Sequence, residues 1–439
     1  MSDQVDAHLS ARVASRRDFL KSSTTTLATG ALATGALAAN FSGSPRLYAA
    51  GSDILKVGLI GCGGRGTGAA AQALSADPQT MLVAMGDVFA DHLQKSLANL
   101  KQSGVSDRVN VGTDRQFVGF DAYKQVLESG VDVVLLTTPP HFRPAHLAAA
   151  IAAGKHVFAE KPVAVDAPGV QSVLKSSEEA QKKGLSVVSG LCWRYDFAKR
   201  ETMQRVHDGA IGDIVAVQCS YNTQGLWKHP RQPEWSDMEW QLRNWLYFTW
   251  LSGDFNTEQH VHSLDKMAWA MHDVPPLQAT GIGGRQVRTG TEYGHIYDHF
   301  SVVYEYANNV KGFASCRQQD GCSIDVSDHI LGTKGVCHVM EHKITGAVNW
   351  KYAGPKGDMY QTEHNEMYAA IRSGKPINNG RYMATSSMLA ILGRMSAYTG
   401  KTITWEQAMN SHEQLGPSKY EWGPLPVPPV ATPGVTAFA

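Results

Sequence analysis

The chain has no surplus of either charge. Lys+Arg and Asp+Glu both number 40, so the formal net charge is zero, and only 18% of residues are charged. A surface without a basic excess has no general attraction for nucleic acid. Cysteine is equally scarce. The six residues, Cys62, Cys192, Cys219, Cys316, Cys322 and Cys337, include no C-x-x-C pair, which removes the usual zinc and dithiol motifs. Cys316 and Cys322 could pair in an oxidising compartment. There are no internal repeats. A hydrophobic content of 43% over 439 residues leaves material for a large core and two domains.

Glycine is abundant, and one glycine turn organises the rest. Lys56-Val57-Gly58-Leu59-Ile60-Gly61-Cys62-Gly63-Gly64-Arg65-Gly66-Thr67-Gly68 reads as a buried strand, a turn and a helix start. Gly61, Gly63 and Gly66 fit G-x-G-x-x-G, with Gly64 and Arg65 in the same turn. The first glycine permits the tight turn and the second lets backbone approach a pyrophosphate. The third lets the helix pack on the strand with its positive end toward the phosphates. Asp87 follows the next apolar run at the distance, about twenty residues on, where a carboxylate accepts hydrogen bonds from the adenosine ribose. A carboxylate there repels a 2′-phosphate, so NAD is favoured over NADP. Val88 offers no cation to such a phosphate, although Arg65 could swing toward one. Asp87 could alternatively cap the helix at 90–100.

Ser15-Arg16-Arg17-Asp18-Phe19-Leu20-Lys21 reads as a twin-arginine export motif, followed by a weakly apolar run at 24–39 that is too short to span a bilayer. Residues 1–39 are therefore expected to be an export signal and 40–53 a linker. The expected partner is the twin-arginine machinery, and the destination is the periplasm or another exported location. Cleavage could follow Ala36-Leu37-Ala38 or fall nearer Ala49 and Ala50. That route carries folded proteins, so a nucleotide would be loaded before export and then held tightly.

Strand patterns at 54–60, 81–85, 131–137, 155–159 and 185–189 alternate with helical patterns at 67–74, 90–100, 120–129, 144–154 and 171–183. This is the doubly wound α/β pattern. Ligands sit at the carboxyl ends of such strands. The turns Thr138-Pro139-Pro140-His141 and Glu160-Lys161-Pro162 should therefore face the cofactor. Beyond them the pattern changes to a strand at 214–221, an irregular tryptophan-rich stretch at 222–244, and a loop leading into a helix over 253–271. Strands follow at 278–283, 298–306, 310–317, 325–331 and 335–340, with Asn308-Asn309 as a hairpin turn. Helices are predicted at 363–373 and 384–399. The tail at 410–439 holds Pro417, Pro424, Pro426, Pro428, Pro429 and Pro433 and is expected to lie extended over the surface.

The glycine turn, the Glu160-Lys161-Pro162 turn and Glu258-Gln259-His260-Val261-His262-Ser263-Leu264-Asp265, in this order and spacing, closely resemble the glucose–fructose oxidoreductase / inositol dehydrogenase / rhizopine catabolism (Gfo/Idh/MocA) family. The run 378–405 resembles its exported members. The resemblance covers 54–409. It implies a Rossmann domain with a doubly wound parallel sheet at 54–185 that binds NAD(P). It also implies a C-terminal α/β domain at 186–409, whose large open, mainly antiparallel sheet carries the substrate and builds a dimer or tetramer. It implies that Lys161 bonds the reacting hydroxyl and the nicotinamide ribose, that His262 is the acid/base, and that Asp265 is the acid three residues on. Many members have Asp-x-Gly-x-His where this chain has Glu258, His260 and His262. The carboxylate reaches further here, and a second imidazole replaces glycine.

Oxidising an alcohol sends a hydride to the nicotinamide C4 and a proton to a base. A base working near neutral pH suits histidine, and a cationic lysine stabilises the alkoxide as it forms. Lys161 follows a strand end and is stiffened by Pro162. Glu258, His260 and His262 have the composition of a metal site, but zinc spacings are longer and no cysteine is near, so no metal is assigned. Asp265 either orients His262 or starts the following helix. Trp193, Arg194, Tyr195, Trp227, Arg243 and Trp245, with His260, combine the aromatic faces and polar edges of a carbohydrate site. The expected function is an exported NAD(P)-dependent oxidoreductase acting on a hydroxyl of a sugar, sugar derivative or polyol. Two other readings fit the same residues. One is an NAD-dependent glycosidase working by transient oxidation and elimination. The other is a non-catalytic NAD-containing sugar-binding protein, against which Lys161 and His262 speak.

Overall fold

The structure, a computed structural model, describes residues 53–439. The expected export signal at 1–39 lies outside the described residues, as does the linker at 40–53 apart from Asp53. The first apolar segments form six parallel strands: β1 (Leu55–Ile60), β2 (Thr80–Asp87), β3 (Gln116–Val118), β4 (Val133–Leu136), β5 (His156–Ala159) and β6 (Val187–Ser189). Helices α1 (Gly64–Ala76), α2 (Ala90–Lys101), α3 (Ala122–Glu128), α4 (Arg143–Ala152) and α5 (Ala167–Lys182) connect them. Crossover helices cover both faces of a parallel sheet, and all four residues of β4 are fully buried. The strand order is β3-β2-β1-β4-β5-β6. It reverses between β1 and β4, so their carboxyl ends open a crevice.

After α6 (Phe197–His207), nine strands form a second sheet: β7 (Ile214–Thr223), β8 (Gln278–Gly284), β9 (His299–Glu305), β10 (Lys311–Gln318), β11 (Asp325–Gly332), β12 (Gly335–His338), β13 (Lys343–Gly346), β14 (Trp350–Lys351) and β15 (Ile403–Thr404). Their order is β14-β13-β12-β11-β7-β10-β9-β8-β15, and only β7 with β10 is parallel. The remaining helices are α7 (Asp237–Arg243), α8 (Thr249–Ser252), α9 (Phe255–Glu258), α10 (Val261–Ala270), α11 (Met359–Arg372), α12 (Gly380–Thr399) and α13 (Trp405–Met409). The two-residue period of β9 sorts the faces. Phe300, Val302 and Tyr304 are buried, while Ser301 is exposed. Helices α10 and α12 pack against β7 and β8. Asn308 and Asn309 turn between β9 and β10 with φ of 59° and 62°, as their sequence predicts.

Several expectations are corrected. Strand β6 pairs with β5 beyond the expected border at 185. The chain also returns to the first sheet, where Val187 N–H donates to the Ile377 carbonyl and Asn379 N–H to that of Val187, each at 2.8 Å. Helix α11 packs on α1. The segment 222–244 is not wholly irregular but contains α7, capped by the Ser236 hydroxyl on Glu239 N–H. Strands β3, β13 and β14 are too short to announce themselves by alternation. All six cysteines are free; Cys316 is buried, and Cys322 makes no bridge to it. The tail at 410–439 does lie extended over the surface, as expected, with only Ser411 buried, and hydrogen bonds fix it there. Gln241 Nε2 donates to the Leu425 carbonyl at 2.7 Å, and Tyr297 Oη to that of Ala431 at 2.8 Å.

Buried histidines make this fold acid-sensitive. Burial pulls His146, His260 and His364 down to about 3. The unfolded chain protonates each near ~6.5, so below that pH it binds more protons than the folded chain. Their contribution to stability is complete above the unfolded value and is lost as the pH falls toward about 3. The melting temperature should therefore drop steadily between neutrality and moderate acid. A flat profile across that range would contradict it.

Candidate active site

The glycine turn builds an open cradle. Gly61 has φ of +97°, and a Cβ there would lie 2.6 Å from Thr138 N. A Cβ on Gly66 would lie 2.0 Å from the Gly61 carbonyl oxygen. Gly63 and Gly64 differ, because a Cβ on either meets nothing within 4 Å. They border free space at the first turn of α1, whose N-cap Gly63 supplies no side-chain partner. Unpaired N–H groups at a helix start favour an anion. The space belongs to a cavity of about 590 Å³ that includes Gly61, Gly63, Asp87, Thr138 and Pro139 in its wall. A glycine cradle and a carboxylate on one wall fit a dinucleotide.

Asp87 ends β2. Its carboxylate accepts from Cys62 N at 2.5 Å and from Phe89 N at 2.8 Å, so it braces the turn it faces. Arg65 does not reach toward a 2′-phosphate. Its guanidinium donates to Glu160, to Gln72 Oε1 at 2.8 Å and to the buried Glu363 Oε1 at 2.9 Å. Burial works against the Arg65 charge, but the carboxylates of Glu160 and Glu363 outweigh it and raise its pKa. Burial, with Glu160 beside it, pushes the Glu363 carboxyl up. Arg65 thus links the cradle to the Glu160-Lys161 turn, whose Lys161 N–H donates to Glu160 Oε2 at 3.0 Å.

Lys161, with a cis peptide to Pro162, follows β5. Its Nζ donates to Glu258 Oε1 and to the Glu258 carbonyl, both at 2.7 Å. The side chains are 15% and 13% exposed, so the pair is largely shielded yet open to a ligand. Arg143, which the sequence pattern did not single out, ties the strand-end turns together. It donates to the carbonyls of Thr138, Glu160, Lys161 and Pro162. Burial lowers it to about 10, so it remains a cation at neutral pH.

His262 lies in the first turn of α10, stacked on Trp193 with centroids 5.8 Å apart and planes at 22°. Burial, then the charges of Lys161, Lys266 and Arg65, hold it well below the usual histidine range. It is neutral at pH 7, and its Nδ1 has no protein partner. Lys266, one turn further on and also absent from the sequence candidates, pairs with Asp328 at 2.5 Å and places Nζ 3.2 Å from the Trp193 centroid. A neutral imidazole, an ion-paired ammonium and an aromatic wall at a strand end can accept a proton and stabilise an oxyanion.

Other sequence candidates are placed elsewhere. Asp265 does not orient His262, because its Oδ1 accepts from Arg194 Nε at 2.9 Å and from Ser386 Oγ at 2.7 Å. Arg194 is spent on Asp265 and Asp273. Tyr195 is buried and donates to Asn379 Oδ1 at 2.7 Å. His260 is 1% exposed, with Nδ1 on Asn256 at 3.1 Å. His141 turns to the tail and bonds Tyr420 Oη at 2.7 Å. Trp227, Arg243 and Trp245 share the cavity wall with the glycine turn, away from Lys161.

Residues 55–189 match the oxidoreductase family with an NAD-binding Rossmann fold, and residues 200–338 match the GFO/IDH/MocA C-terminal domain. The chain is similar to inositol 2-dehydrogenase 3 of Saccharopolyspora erythraea, 26% identical over 299 residues that span 66% of this chain and 75% of that protein. It is also similar to a glycosyl hydrolase family 109 protein of Porphyromonas gingivalis, 26% identical over 180 residues that span 40% of this chain and 36% of that one. An oxidoreductase of Thermotoga maritima with a crystal structure superposes at a TM-score of 0.63, with 20% identity over 81% of this chain and 99% of the other. That likeness concerns the fold alone.

Proposed function

This chain belongs to the Gfo/Idh/MocA oxidoreductase family, and we propose that it is an exported enzyme that oxidises a hydroxyl of a sugar or polyol, with Lys161 and His262 handling the proton. It is an NAD-dependent oxidoreductase acting on CH–OH donors. The observation that carries the residue roles is the Lys161–Glu258 pair beside a neutral His262. Similarity to an inositol 2-dehydrogenase supports the polyol class.

NAD, when bound, supplies the hydride acceptor. Gly63 and Gly64 make room for its pyrophosphate, and Asp87 faces its adenosine ribose. Lys161 donates a hydrogen bond to the oxygen of the reacting hydroxyl and stabilises the alkoxide as charge develops. Glu258 holds that ammonium in place. His262 takes the proton directly or through a water. Trp193 supports the imidazole. In the exported location the nucleotide is retained, not exchanged with a free pool.

Replacing Asp87 with alanine should weaken NAD binding roughly 10- to 100-fold, the value of hydrogen bonds to a charged group. NADP should lose far less, because the same change removes a repulsion. Titration of both nucleotides checks this, and equal losses would undo the assignment.

Similarity to a glycosyl hydrolase family 109 protein favours a second reading, transient oxidation followed by elimination of a glycosidic group. A panel of polyols, sugars and aryl glycosides separates the two. Net NADH formation is expected here. Aglycone release without net NADH would establish the glycosidase instead.

A further inference from the structure

The second half of the chain closes over the cofactor cavity at the end marked by α2. Trp227, Trp245 and Arg243 stand in the same cavity wall as Asp87 and Phe89. Arg243 crosses from α7 to the first sheet's side, placing its guanidinium carbon 4.0 Å from the Phe89 centroid and Nη1 3.1 Å from Asp91 Oδ2. Trp227 and Trp245 lie 6.1 Å apart, tilted at 57°. This wall offers aromatic faces and a cation.

The tail then crosses the outside of the same wall. Gly416 presses on His141, where a Cβ would lie 2.2 Å from its ring. Tyr420 stacks on Phe120 at 5.8 Å, and Trp422 contacts Phe120 at 5.0 Å and Phe89 at 5.8 Å. Phe89 and Phe120 both line the cavity. Beyond them the tail is pinned to α7, with Met238 N–H donating to the Gly423 carbonyl and Leu425 N–H to Asp237 Oδ2, each at 3.2 Å. Pro417, Pro424 and Pro426 limit the freedom of this segment before it docks, which lowers the entropy lost on docking.

We propose that Trp227, Trp245 and Arg243 form a second-domain wall for the adenosine half of the nucleotide, and that residues 416–425 strap this wall shut so that the nucleotide leaves slowly. This rests on the NAD reading above. Trp227 and Trp245 present stacking faces to the purine. Tyr420 and Trp422 act through Phe120 and Phe89 as positioning residues. Exchange requires the strap to lift from Phe120.

The test uses the full mature chain with Trp227→Ala and, separately, Trp422→Ala. These side chains are 45% and 48% exposed, so neither removal hollows the core; melting of the nucleotide-free variants checks this. NADH dissociation is followed by its fluorescence during a chase with excess NAD. Affinity for nicotinamide mononucleotide, which lacks the adenosine half, is measured alongside. Dissociation should accelerate about tenfold or more in each variant, as loss of a base-stacking ring or its support does, with mononucleotide affinity unchanged. Rates within twofold of the unmodified protein, or equal losses for the mononucleotide, would overturn the strap. Failure of the unmodified protein to bind NAD at all would instead overturn the cofactor reading.

Discussion

Lys161→Met is expected to bind NAD normally and to lose about a hundred- to a thousandfold of its turnover, the range set by removing a group that stabilises a developing oxyanion. The two effects separate because Lys161 faces Glu258 rather than the glycine cradle. Its Nζ bonds lie 2.7 Å from Glu258, while the cradle is built from backbone at Gly61 to Gly66. Removing the ammonium leaves Glu258 partly shielded and unpaired, so some loss of stability should accompany the loss of rate. Nucleotide titration and steady-state turnover on the same preparation check the split. Near-normal kcat would remove Lys161 from the mechanism, and parallel loss of NAD binding would recast it as a cofactor residue.

His262→Ala is expected to lower kcat by about 10²- to 10⁴-fold, the contribution of a positioned general base. The unmodified enzyme carries a companion signature in its pH profile. A base is active when unprotonated, and His262 is held well below the usual histidine value by burial and by the Lys161, Lys266 and Arg65 charges. For alcohol oxidation, kcat/KM should therefore stay level as the pH falls through the ordinary histidine range and should decline only in stronger acid. The pH dependence of kcat/KM decides the matter. An acid limb centred near ~6.5 would mean that an unshifted histidine controls the reaction.

The parts of the molecule that were legible in the sequence are those with local rules. G-x-G-x-x-G, the apolar runs of β1 and β4, and the turn after β5 each follow from spacing. Gly61 shows the reason, since its positive φ and its contact with Thr138 leave no alternative residue. The paired asparagines at 308 and 309 announce their hairpin in the same way. Where long-range contacts decide, spacing is silent. Asp265 and His262 are three apart on α10, yet Asp265 finds Arg194 and Ser386 from other elements. Arg65 lies in the phosphate turn, but Glu363, nearly three hundred residues on, claims it. Arg143, Lys266 and the tail aromatics could not be singled out, because nothing near them in sequence hints at the carbonyls, the carboxylate or the phenylalanines they meet. The tryptophans were visible as a group, but only the fold assigns Trp193 to His262 and Trp227 and Trp245 to the glycine turn.

The most direct measurement mixes the NAD-loaded protein with a polyol or sugar accepted in the substrate panel and records reduced nicotinamide in the first turnover. A rapid burst approaching one reduced nicotinamide per chain, absent in Lys161→Met, is the expected result. No burst with any CH–OH donor, or an equal burst in the variant, would contradict hydride transfer assisted by Lys161.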